Sequence, residues 1–123
     1  MNTTSVYGFS KEYRLLTKAE YSYVFAEPVK ASSKLGVCLA RPNQHEYPRL
    51  GLAVAKKHYR KAVDRNRVKR LVRESFRLYK DNLPNCDIVF IARGGFTTLE
   101  PSEIPGALHT LWRRLNRACA TLP

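Results

Sequence analysis

Val68, Leu71, Val72, Ser75, Phe76 and Tyr79 recur at the spacing of one helical face, and all but Ser75 are apolar, so this stretch predicts a helix packed on a core. On a helical wheel Asn66, Lys69, Arg70, Arg73, Arg77 and Lys80 stand roughly opposite that stripe. The rod has an oily side and a cationic side. Between Lys56 and Lys80 lie eleven of the chain's 22 Lys and Arg residues against Asp64 and Glu74, so 25 residues carry +9 of the +12 formal charge. Self-repulsion opposes packing so much like charge together, and the segment reads as a surface built for a polyanion.

At 123 residues with 44% hydrophobic side chains, the chain is sized for one domain with its own core. The expectation is a single domain over 1–123, with 1–10 and 119–123 as candidate flexible ends. A pI near 10.0 points to nucleic acid before an anionic membrane. No apolar run reaches the roughly 18 residues of a membrane span, and Met1 to Ser10 lacks the pattern of a secretory signal. A soluble, cytoplasmic protein without membrane attachment is expected.

Cys38, Cys86 and Cys119 are odd in number and far apart in sequence, which predicts buried thiols in place of a disulfide framework or zinc site. His45, His58 and His109 share no ligand spacing, so no metal site is expected on the protein.

Thr17-Lys18-Ala19-Glu20 has the spacing of a capping box and opens a short helix to Phe25, which Pro28 ends. Leu35, Val37 and Leu39 alternate along a strand from Ser33 to Arg41. A second strand, Arg49 to Ala55, has Leu50, Leu52 and Val54 on one face and only Gly51, Ala53 and Ala55 on the other. So bare a face admits either a closely packed helix or a ligand groove. These two strands are expected to run antiparallel as a pair through the loop 42–48. Ile88 to Ile91 suits a strand buried on both faces. A last helix from near Ser102 should turn Leu108, Leu111, Trp112, Leu115 and Cys119 inward, with Arg113, Arg114 and Arg117 outward. The class is α+β, helices against a small mixed sheet, with no internal repeat or linker.

No P-loop, dinucleotide, zinc-protease or nucleophile-elbow motif is present, and the ten acids are too scattered for a two-metal nuclease. No catalytic residue is assigned. His58 reads as a solvent-facing loop residue, and Arg93-Gly94-Gly95 as a turn.

Arg65-Asn66-Arg67, preceded by Lys56-Lys57 and Ala62-Val63 and followed by Lys69-Arg70-Leu71 and Arg73-Glu74, resembles the signature of the bacterial ribonuclease P protein subunit, proteobacterial type. The similarity runs over roughly residues 9 to 118. Arg14 to Phe25 resembles the first-helix segment, Pro48 to Lys57 the strand leading into the motif, and Asp87 to Arg93 the later central strand.

The resemblance implies a subunit of an RNA-based enzyme whose catalyst is a large RNA with Mg2+, cutting precursor tRNA to release its 5′ leader. It implies docking on that RNA by Arg60, Lys61, Arg65, Asn66, Arg67, Lys69, Arg70, Arg73 and Arg77. It also implies a cleft between the first helix and the sheet that holds the leader, matching Arg14, Tyr21, Phe25, Lys56 and Lys57 here. Cys38 stands near a strand position where some members carry a leader-contacting Tyr, and it is assigned no contact. The partners implied are the catalytic RNA and precursor tRNA, with no further protein required, and the crossover between parallel strands is expected in the rare left-handed sense. A general RNA chaperone or ribosomal-type module would share the basic helix without the leader cleft. A self-sufficient nuclease would need none of the RNA.

Overall fold

The computed structural model describes residues 11–120. Of the ends expected to be flexible, 1–10 and 121–123 lie outside the described residues, while Cys119 is 8% exposed at the end of the last helix.

The first helix, α1 (Lys18–Ala26), begins with the capping box that its sequence spells. The Glu20 amide donates to Thr17 Oγ1 at 3.2 Å, and Glu20 Oε1 accepts from the amides of Thr17 at 2.8 Å and Leu16 at 2.7 Å. Four strands follow: β1 (Val29–Ser32), β2 (Gly36–Pro42), β3 (Arg49–Ala53) and β4 (Cys86–Ala92). The amphipathic rod is α2 (Ala62–Tyr79), and α3 (Ile104–Cys119) follows a short turn of 3-10 helix at Pro101–Glu103.

The strand order is β1-β2-β4-β3. Two features depart from the sequence expectation. First, β1 was not foreseen: it is an edge strand of four residues, none of them buried, too short and mixed to announce itself. Second, β2 and β3 do run in opposite directions, but they are not neighbours, because β4 lies between them, antiparallel to β2 and parallel to β3. The apolar run of β4 explains this placement. Only a central position covers Ile88, Val89 and Phe90 on both faces. The parallel pair β3 and β4 is joined through α2.

One face of the sheet presents Cys38, Ala40, Leu50, Ile88 and Phe90 to α2 and α3, which contribute Val68, Val72, Phe76, Leu108, Leu111 and Trp112. Ser75, the polar member of the stripe, accepts a hydrogen bond from Trp112 Nε1 at 2.8 Å, so the buried indole donor is satisfied. All three cysteines are buried. Among the described residues the opposite face carries α1 and the segment just before it, with Val24 and Leu15 packed on Leu39 and Val89.

A largely buried ionic knot ties α1 to the sheet. Asp87, the buried charged residue among those described, is gripped by Arg49 Nε and Nη2 at 2.8 and 2.7 Å, and accepts from Asn43 Nδ2 at 2.9 Å. Arg49 Nη1 reaches Glu20 Oε2 at 2.7 Å. Thus one carboxylate caps the helix with one oxygen and ties it to the sheet with the other. The Leu16 amide foremost, then the Thr17 amide and Arg49, hold the Glu20 carboxyl below its usual range. A carboxylate held low stabilises the fold above its unfolded value, about 4.3, and that stability is lost as pH falls through the lower folded value. Acid titration followed by amide exchange at Leu16 and Thr17 should therefore show the cap opening below about pH 4.3, and Glu20→Gln should flatten the response in that window.

Candidate nucleic-acid interface

The cationic edge of α2 begins before the helix. Lys61 is the N-cap: its side chain makes no cap, while its carbonyl accepts from the amides of Asp64 and Arg65 at 3.1 Å. Arg65 folds back over this start, its Nη1 donating to the carbonyls of Tyr59 at 2.9 Å and Arg60 at 2.7 Å. Tyr59 is 3% exposed, and its hydroxyl donates to the Arg93 carbonyl at 2.5 Å. Burial pushes the Tyr59 hydroxyl up, which keeps it a donor. The loop that carries Arg60 and Lys61 is in this way anchored to the sheet. A rigid mount lowers the ordering cost of gripping a ligand.

The nine candidate positions do not behave alike. Arg60, Lys61, Asn66 and Arg70 are exposed, while Arg65, Arg67 and Lys69 are half-buried. Among the described residues, none of the six cations in this group is in an ion pair. Arg77 differs. Its Nε and Nη2 engage Glu74 at 3.1 and 2.6 Å, so its charge is largely spent within the helix. Arg73 differs in another way: it is half-buried and lies close enough to Arg14 and Tyr21 to feel both electrostatically. Burial first, then the Arg14 charge, hold its guanidinium below the usual arginine value. The structure therefore brings Arg73 together with the leader-side set, and its sequence position opposite the oily stripe gave no sign of this.

That second set gathers where α1 leaves the sheet uncovered. Strand pairing aligns Leu39, Val89 and Gly51 in one row and Val37, Ile91 and Ala53 in the next. The first row lies under Val24 and Tyr21. The second is open: Val37 and Ile91 are half-buried and Ala53 is exposed. Gly51 makes the arrangement possible, because a Cβ there would stand 2.7 Å from the Tyr21 ring. The Tyr21 hydroxyl accepts from the Leu52 amide at 3.2 Å. Both readings of the bare strand face therefore hold at different points, a close-packed helix at Gly51 and an open floor at Ala53.

Phe25, four residues from Tyr21, shares its side of α1 and is 49% exposed. The other side of α1 is closed: the Tyr23 hydroxyl donates to the Pro42 carbonyl, and the Arg41 guanidinium lies 4.1 Å from the centre of the Tyr23 ring. Lys56 and Lys57 are exposed just past β3, and Arg14 bridges to Leu50 on that strand. Cys38 is fully buried on the far face, whereas Val37 lies on the open one. Alternation along β2 already pairs Val37 with Leu39. Ile91 was missed because a uniformly apolar strand does not say which of its faces stays open.

Among the described residues there is no cluster of three or more His, Cys, Asp or Glu placed to hold a metal. No helix among them is long and apolar enough to cross a membrane.

Comparison with known proteins agrees with this architecture. The family described as Ribonuclease P matches residues 9–116. The Ribonuclease P protein component of Pasteurella multocida (strain Pm70) is 53% identical over 107 residues, spanning 87% of this chain and 90% of that one. The RNase P protein of Staphylococcus aureus superposes with a TM-score of 0.76 at 26% identity, over 85% of this chain and 97% of the other. The RNase P protein of Thermotoga maritima, solved with 1-(4-fluorophenyl)-2-thiourea, gives 0.73 at 34% identity, over 82% and 98%.

Proposed function

The chain belongs to the ribonuclease P protein family, and from that membership we propose how its two surfaces serve the holoenzyme. The start of α2 docks on the catalytic RNA through Arg60, Lys61, Arg65, Asn66, Arg67, Lys69 and Arg70. The open sheet row beside α1 receives the single-stranded 5′ leader of precursor tRNA, with Tyr21 and Phe25 along its side and Arg14, Arg73, Lys56 and Lys57 supplying charge. The observation that carries this reading is the group of six cations without a carboxylate partner at the mouth of α2. Guanidinium forks suit phosphate oxygens, and each neutralised phosphate releases counterions.

Chemistry falls to the RNA subunit and its Mg2+, in the cytoplasm. The protein's carboxylates support this division, since Asp87 is held by Arg49, Glu20 by the α1 caps and Glu74 by Arg77. These three are spent on cations and amides. The protein's part is to bind, screen and orient.

The test is reconstitution with a bacterial ribonuclease P RNA. Tyr21→Ala and Phe25→Ala should each weaken binding of precursor tRNA by about 1–3 kcal/mol, roughly 5- to 150-fold, while mature tRNA is bound as before. Tyr21→Phe keeps the ring and should behave like the native protein. Equal affinity for precursor and mature tRNA in the native particle would instead favour a general RNA chaperone. Cleavage by the purified protein without RNA would favour a self-sufficient nuclease.

A further inference from the structure

Six of the eleven Lys and Arg residues outside 56–80 lie on β1, on the turn after it or along α3, which packs on β1, or reach that turn from the end of β4, at the opposite edge of the sheet. They are Lys30, Lys34, Arg93, Arg113, Arg114 and Arg117, and all are exposed. No Asp or Glu occurs in 28–45 or in 104–123. Bordering these stretches, Glu27 pairs with Arg41, and Glu100 and Glu103 are turned into a capping box on each other's amides. None of the six cations forms an ion pair among the described residues.

The turn between β1 and β2 is the hub of this group. Arg114 Nη1 donates to the Ser32 carbonyl at 3.1 Å, and Arg93 Nη1 to the adjacent Ser33 carbonyl at 3.3 Å. Two guanidiniums are thus held side by side on consecutive carbonyls, with Lys34 next along the chain. The turn itself is fixed from behind. The Arg93 amide donates to Leu35 O at 2.9 Å and the Gly95 amide to Lys34 O at 3.1 Å. A Cβ on Gly95 would lie 2.4 Å from that same oxygen, so glycine is what lets the two backbones close. The Arg93-Gly94-Gly95 turn braces the turn that gathers the cations. Beside it is a cavity of about 520 Å³, whose lining includes Ser33, Lys34, Leu99, Thr110 and Arg114.

Like charges brought together on a braced scaffold with no carboxylate among them repel until an anion joins them. We propose that the β1–α3 edge is a second phosphate-binding site, in which Lys34, Arg93 and Arg114 take the phosphodiester groups of an RNA strand. Each guanidinium spends one Nη on the turn and keeps the rest of its fork for oxygens. The open sheet row ends at Ser32, which pairs with Val37, so a strand crossing from Lys56 over Ala53, Ile91 and Val37 would arrive at these cations. Either the distal part of a long leader or a segment of the catalytic RNA supplies the same chemistry.

The experiment uses the full chain with Lys34→Gln, Arg93→Gln and Arg114→Gln combined, and separately Lys30→Gln with Lys34→Gln, whose side chains are exposed and make no ion pair among the described residues. Three titrations across a salt series distinguish the sources: catalytic RNA alone, then the holoenzyme with precursors bearing short and long leaders. The triple variant should lower the salt slope by about 0.7 for each lost contact with a single strand and weaken binding at least tenfold. A loss confined to the long-leader precursor identifies the leader as the ligand, and a loss in the first titration identifies the catalytic RNA. Unchanged affinity and slope in all three, for both variants, would overturn the site. That result would leave the α2 docking surface standing, because Arg65 and Arg70 are untouched.

Discussion

Replacing Arg65 and Arg70 together by alanine is expected to weaken association with the catalytic RNA by two to four orders of magnitude. Hydrogen bonds to charged groups contribute about 1.5–3 kcal/mol each, so two phosphate contacts amount to about 3–6 kcal/mol. Arg70 is exposed and makes no ion pair among the described residues, so its loss reads out docking. Arg65 also holds the carbonyls of Tyr59 and Arg60, so its loss additionally loosens the loop that carries Arg60 and Lys61. Titration of the RNA at several salt concentrations should show the slope falling by roughly 0.7 to 0.9 per contact removed. Arg77→Ala is the control. Its guanidinium already faces Glu74, and removing it should cost less than about threefold, the scale of an exposed ion pair. If Arg77→Ala were as damaging as Arg70→Ala, the division of the helix into free and spent cations would be wrong.

Asp87→Ala is expected to destabilise the fold by about 3–5 kcal/mol, because it strips the bidentate partner from the largely buried Arg49 guanidinium and leaves it only the more exposed Glu20. Arg49 has only 13% of its side chain exposed and Asp87 only 3%, so water does little to compensate. Against the 5–15 kcal/mol typical of a domain, that is a large share. Chemical denaturation should show a lower midpoint with an unchanged slope. The double replacement Arg49→Met with Asp87→Leu removes both charges and should recover much of the loss. It should not recover leader discrimination, since Glu20 then loses its tie to the sheet and Tyr21 its fixed place over Gly51. A single Asp87→Ala costing under about 1 kcal/mol would show that the knot is not what holds α1.

Much of the architecture was legible because local patterns report local burial. The Thr17 to Glu20 box, the stripe on α2 and the apolar run of β4 each announced the element that was found. The run Arg65-Asn66-Arg67 carried the family. What stayed hidden depends on residues far apart in sequence. No pattern near Arg49 says that Asp87 and Glu20 will meet on its guanidinium. None near Arg73 says that it will lie close to Arg14. The insertion of β4 between β2 and β3 followed from the need to cover both of its faces, but adjacency in the chain suggested a simple hairpin.

The amino-acid order alone determined that one helix would have an apolar stripe and a cationic edge, because helical periodicity is a property of the residues within that helix. Tertiary structure decided which of those cations remain available. Glu74 neutralises Arg77, Arg73 is half-buried, and the turn after β1 gathers Arg93 and Arg114 from positions 21 residues apart, since charge availability depends on distance in space and on what else competes for each guanidinium.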